Sequence, residues 1–195
     1  PLFEKKIKVF GETIIEPTAI EQLKNCLVRP EDIGVMTADG HYGYGHPIGG
    51  AVAYEDHVSL SGVGFDIGCG NKAVMTNIKA VDIDNIRKIM KEISSKIGFG
   101  VGRPNPKPIE HDVLDKIANA NFVHQKNMIK IASDQLGTVG SGNHFVDLFE
   151  DENGYVWIGV HFGSRGFGHK TTTGFIALHQ GKEFTDKVSE GAKDA

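Results

Sequence analysis

His144-Phe145-Val146-Asp147-Leu148-Phe149-Glu150-Asp151-Glu152-Asn153-Gly154-Tyr155-Val156-Trp157-Ile158-Gly159-Val160-His161-Phe162 reads as two β-rich runs around Asn-Gly. That dipeptide between such runs is the strongest short-range hairpin signal. A two-residue Asn153-Gly154 turn pairs Glu152 with Tyr155 and sets His144 opposite Gly163, with His161 as its diagonal neighbour. A loop from Asp151 to Gly154 sets His144 directly opposite His161. In both registers the imidazoles share a face, within roughly 5 to 8 Å at Cβ, a spacing suited to two ligands of one metal cluster. A three- or five-residue loop separates them.

Upstream lies Ser61-Gly62-Val63-Gly64-Phe65-Asp66-Ile67-Gly68-Cys69-Gly70, whose glycines allow tight turns closed to residues with a Cβ. Asp66 and Cys69 are its reactive groups, and a carboxylate and a thiolate on such a loop can converge on one metal or on two adjacent ones. The competing reading is a turn with a buried, inert cysteine. Residues 51–54 and 58–60 read as strands leading in, and residues 73–76 as the strand leading out.

Residues 35–50 form a second run dense in Gly, His and Asp. Asp39 and His41 stand two apart, so a regular strand puts both on one face, where the carboxylate could orient the imidazole. Alternatively, Asp39 caps backbone amides in a turn. Downstream of the hairpin, Phe162-Gly163-Ser164-Arg165-Gly166-Phe167-Gly168-His169 offers backbone amides of Gly163 and Gly166, the Ser164 hydroxyl and the Arg165 fork to a phosphate. It also fits a β-turn carrying a surface arginine.

The flanking segments supply scaffold. Residues 6–15 suggest a short strand or hairpin turning at Gly11. Thr18-Ala19-Ile20-Glu21 has the form of a capping box before Ile20, Leu23 and Leu27 at helical spacing, placing Cys26 on a short helix without a functional role. Residues 82–93 predict an amphipathic helix behind an Asp cap, and residues 113–120 and 122–135 two more helices, with His111 and His124 at the surface. Residues 98–108, rich in Gly and Pro, predict a linker or mobile loop in which Arg103 and Lys107 could meet phosphate.

The 195 residues, 39% of them hydrophobic, suffice for one domain, and the whole chain reads as such. The 25 glycines follow no collagen-like period, which points to glycine-rich loops. A net charge of −4 gives no global field for nucleic acid, so a polyanion must be held by a local basic cluster or by metal. Two cysteines make no disulfide framework, and no 18-residue apolar run occurs. The expectation is a cytoplasmic protein that does not engage a membrane.

Together the motifs resemble one family, the RtcB-type RNA-splicing ligases. The resemblance rests on Asp39-Gly40-His41 with Tyr42-Gly43-Tyr44-Gly45 and Pro47-Ile48-Gly49-Gly50, then on residues 64–70, on Gly140-Ser141-Gly142-Asn143-His144-Phe145 and on His161-Phe162-Gly163-Ser164-Arg165-Gly166. It covers residues 35–169 and implies an α+β fold, with mixed sheets and flanking helices, truncated at the C-terminus. It also implies two Mn2+ ions and GTP. Cys69 would bridge the metals, with Asp66 and His144 on one and His161 on the other. Residues Asn143, His144, Phe145, Val146 and Asp147 would approach the GTP phosphates. The implied reaction, in tRNA splicing or RNA repair, joins an RNA 2′,3′-cyclic phosphate or 3′-phosphate end to a 5′-hydroxyl end. Ligand chemistry alone would favour zinc for a thiolate with two imidazoles.

The sequence also departs from the family. The motifs that carry the guanylylated histidine and a further ligand histidine belong to the C-terminal half and have no match here, so no catalytic nucleophile is expected within these residues. The chain ends instead in a polar stretch, residues 181–191, and neither His169, read as a loop residue, nor His179, read as helical, has a motif around it. Asp147 stands where the family usually has Glu, and His46 where an apolar or aromatic residue is more usual. Two other functions compete: a metal-dependent phosphoesterase, and a non-catalytic metal-bound RNA-binding scaffold.

Overall fold

The computed structural model describes residues 3–188. The chain divides into two compact units, residues 1–64 with 172–195, and residues 65–171.

In the first unit, strand β1 (Lys6–Val9) pairs in parallel with β2 (Ile33–His41), so residues 6–15 form a strand and then a turn at Gly11 rather than a hairpin. Helix α1 (Pro17–Cys26) connects the two strands. It begins two positions earlier than a capping box requires, with Glu16 as N-cap, and Thr18 lies inside it. Proline at the first helical position is responsible, since its fixed φ suits the helix and its missing N–H is not needed there. Glu16 instead accepts from the Tyr42 amide at 2.8 Å. Strand β3 (Ile48–Ala53) pairs antiparallel with β2, with an irregularity between Met36 and His41. Ile15, Ala19, Leu23 and Met36 form the core, because the inward face of α1 falls on the apolar face of β2. Residues 58–60 are not a strand: Ser59 accepts from the Gly62 amide and caps the single turn α2 (Leu60–Val63).

In the second unit, strand β4 (Gly70–Lys79) leads out of the glycine loop, as expected, and the amphipathic helix is α3 (Ile86–Lys96), capped by Asn85 rather than Asp82. Asp82 belongs to a 3-10 turn, Ala80–Asp82. Helix α4 (Asp112–Ala118) is followed by α5 (Val123–Asn127) and α6 (Ile129–Gln135), one expected helix divided at Met128. The hairpin is β5 (Phe145–Glu150) and β6 (Tyr155–Phe162), and the sheet order is β4-β6-β5. Residues 98–108 are tied rather than loose. Val139 N donates to Gly98 O at 2.9 Å, and the Asn105 side chain donates to Leu136 O at 2.8 Å.

Helix α7 (Arg165–His179) contains both His169 and His179, so His169 is helical. Within the first unit, Phe184 is buried against Phe175, which gives the polar C-terminal stretch an apolar anchor. Residues 189–191 of that stretch lie outside the described residues.

Both strand content and helix content are substantial, in two small sheets with helices alongside, which is the expected α+β class. No helix among the described residues is long and apolar enough to cross a membrane.

Candidate metal centre

The hairpin register differs from both expectations. Asp151 N donates to Tyr155 O at 3.0 Å, so the loop has three residues, 152–154, ending in Gly154 at φ +77°. A left-handed glycine at that place is the usual close of a three-residue hairpin loop. Phe145 therefore pairs with His161, and His144 precedes the strand. By strand alternation alone the histidines would diverge. They converge because His144 is outside the ladder, after left-handed turns at Gly140 and Gly142, and its ring centroid lies 5.5 Å from that of His161.

Cys69 lies between them. Its Sγ is 3.1 Å from His161 Nε2 and 3.5 Å from His144 Nε2, and the ligand atoms of the three residues all lie within 4.8 Å of one another. Asp66 joins at the edge, its Oδ2 2.6 Å from His144 Nε2. Gly163 allows this placement, since a Cβ there would strike the Asp66 carboxylate. The four residues expected to hold metal are thus brought together. Three close donors of the soft and borderline kinds, with a hard carboxylate beside them, fit a transition metal or zinc.

Desolvation, the hydrogen bond the thiol donates to the Asp66 carboxylate and that carboxylate's charge push the Cys69 thiol up to about 11, against an opposing pull from Arg165. A nearby cation would reverse this balance, as it does for any coordinating thiol.

Each imidazole has hydrogen-bond partners at Nδ1. His161 Nδ1 is 2.7 Å from Asn71 Oδ1, a residue that the sequence reading did not single out. His144 Nδ1 lies 3.0 Å from the Val139 carbonyl and 2.7 Å from Arg165 Nη1. A carbonyl only accepts and a guanidinium only donates, so Nδ1 satisfies one at a time. In one form Nδ1–H donates to Val139 and Nε2 is free to bind metal. In the other, Nδ1 accepts from Arg165 and Nε2–H donates to Asp66. Arg165 holds φ +54°, uncommon for a residue with a Cβ, and its guanidinium fills the space a side chain at Gly140 would take.

The phosphate-binding expectation is only partly placed. The Gly166 amide is not free, since it donates to Gln135 Oε1 at 2.8 Å. Ser164 Oγ is buried without a hydrogen-bond partner among the described residues. Of the nucleotide-binding residues, Asn143 and Asp147 are exposed, while Val146 is buried and could offer only its backbone. In the first unit, the Asp39 carboxylate does not orient His41. The imidazole Nδ1 bonds the Asp39 carbonyl at 2.9 Å, and the carboxylate bonds Thr37, which with the backbone lowers its pKa. The irregular register between Met36 and His41 breaks the alternation on which the expectation relied.

The profile of the family described as "tRNA-splicing ligase RtcB" matches residues 22–126 and 116–191. A tRNA-splicing ligase RtcB of Archaeoglobus fulgidus is 30% identical over 85% of this chain and 44% of its own length. The RNA-splicing ligase RtcB of Escherichia coli K12 is 34% identical over 85% of this chain and 45% of its own. A Pyrobaculum aerophilum tRNA-splicing ligase RtcB is 26% identical over 93% and 49%. The chain spans about half the length of the curated relatives it matches. It belongs to the tRNA-splicing ligase RtcB family.

Proposed function

We propose that the chain carries the metal-binding part of a GTP-dependent RNA ligase that joins 2′,3′-cyclic phosphate or 3′-phosphate ends to 5′-hydroxyl ends, using two Mn2+ ions. The observation that carries this reading is the convergence of Cys69 Sγ on His161 Nε2 and His144 Nε2, at 3.1 and 3.5 Å, in a member of the RtcB family.

Cys69 would serve both metals, with His144 and Asp66 toward one and His161 toward the other. Bound divalent ions would supply charge neutralisation at the phosphate and a template for displacement, and GTP the nucleotide that makes the phosphate a competent electrophile. The chain's own residues do the positioning. Glycine turns at 140 and 142 bring His144 out of the strand and set its Nε2 beside the Asp66 carboxylate, 2.6 Å away. Arg165, with the buried Ser164 hydroxyl beside it at the start of α7, is the bidentate group for a phosphate oxygen. Release of Arg165 from His144 accompanies the metal-binding form of that imidazole, so the same event that readies the ligand frees the guanidinium. Asn143, next in sequence to His144, and Asp147 are both exposed and would approach the nucleotide phosphates.

Metal content after gel filtration in Mn2+ tests this. Cys69→Ala should lose both ions, because a bridging thiolate serves each, whereas His144→Ala should retain about one. Unchanged stoichiometry in Cys69→Ala would remove the glycine loop from the site. Metal-dependent hydrolysis of a 2′,3′-cyclic phosphate end to a phosphomonoester without GTP would point to a phosphoesterase instead.

A further inference from the structure

Asn71 and His161 face each other across the β4-β6 ladder, one register pair from the end of that pairing. The Asn71 carboxamide oxygen can only accept, so the 2.7 Å contact makes His161 Nδ1 the donor and leaves the Nε2 lone pair directed at Cys69, 3.1 Å away. On its other strand neighbour, Phe145, the His161 ring is nearly parallel, at 17° and 5.6 Å between centroids. Hydrogen bond and ring contact together fix the tautomer, the tilt and the direction of the imidazole. Among the described residues no comparable device serves His144, whose Nδ1 has two incompatible partners.

We infer that Asn71 is the positioning residue of this metal site, holding His161 as the Nδ1–H tautomer so that Nε2 is a ready ligand before any ion arrives. The inference rests on the metal-site reading and extends it to a residue outside the ligand set. Partners of this kind, bonded to the far nitrogen of a ligand histidine, typically affect metal affinity by 10- to 100-fold. Asn71 is exposed and on a sheet edge, so its replacement should not disturb the core.

The test compares wild type, Asn71→Leu and Asn71→Asp in the full 195-residue chain. Long-range 1H–15N correlation spectra of the 15N-histidine-labelled, metal-free chain read the His161 tautomer directly. Cobalt titration, followed by its thiolate charge-transfer absorption, reads affinity. Wild type should show Nδ1–H. Asn71→Leu should lose that preference and bind cobalt about 10- to 100-fold more weakly. Asn71→Asp, which keeps an acceptor oxygen in place, should restore both. The inference is overturned if Asn71→Leu retains the tautomer or the affinity, or if Asn71→Asp is as impaired as Asn71→Leu. A wild-type chain that takes up no cobalt would sink the metal reading itself, while the spectra would still decide whether Asn71 sets the tautomer.

Discussion

Cys69 occupies a setting that resists its own ionisation, since desolvation and the Asp66 carboxylate both favour the thiol and raise it from 9.0 to about 11. Between those values the native chain keeps a proton that the unfolded chain has released. The resulting stability is fully present below pH 9 and is lost as pH rises through about 11. Urea unfolding of metal-free wild type and Cys69→Ser should therefore differ by an amount that shrinks across that window; a constant difference from pH 8 to pH 11 would contradict it. Metal uptake has the opposite sign, tightening as pH rises, because the ligand must be the thiolate. The convergence of Asp66, Cys69, His144 and His161 was legible in the sequence because their side chains have metal chemistry and their motifs are specific. Asn71 was not, because an amide in a strand has no signature until its register partner is known. The engagement of Gly166 by Gln135 was hidden for the same reason, as it joins residues distant in sequence.

At the scale of elements, the β5-β6 hairpin controls which residues enter the ladder, and Asp151 holds its loop. The carboxylate accepts from Trp157 Nε1 and from the amides of Tyr155 and Asn153, all at 2.9 Å, and its pKa is lowered chiefly by the tryptophan bond. Its contribution is present above the ordinary value of 3.8 and is lost as pH falls through the lower native value. Asp151→Ala should lower the urea midpoint at neutral pH, with the gap to wild type closing in acid; a gap that persists undiminished well below pH 3.8 would assign the effect to something other than the charge. The hairpin itself was legible from Asn153-Gly154 between β-rich runs. Its register was not, because Asn-Gly signals several loop lengths, and the choice among them was made by Asp151 bonding forward to residues 153, 155 and 157. Similarly, Pro17 outweighed the Thr18-Glu21 pattern in starting α1.

At the scale of the molecule, the residues proposed to hold metal all belong to the unit of residues 65–171, whereas His179 belongs to the other unit and His169 contacts Phe65, at 5.4 Å between rings. Neither histidine is among the residues whose ligand atoms cluster around Cys69. Covalent transfer of a nucleotide requires a nitrogen nucleophile in line with the α-phosphate, and the family motif that would present one has no match in this sequence. The 195-residue chain, incubated with labelled GTP and Mn2+, should therefore bind metal yet show no labelled band on denaturing electrophoresis. Because it spans about half the length of its relatives, the same incubation with the remaining half of an RtcB ligase supplied in trans should place the label on the added segment. A labelled band at the mass of this chain, abolished by His169→Ala or His179→Ala, would show instead that its own helix α7 provides the nucleophile.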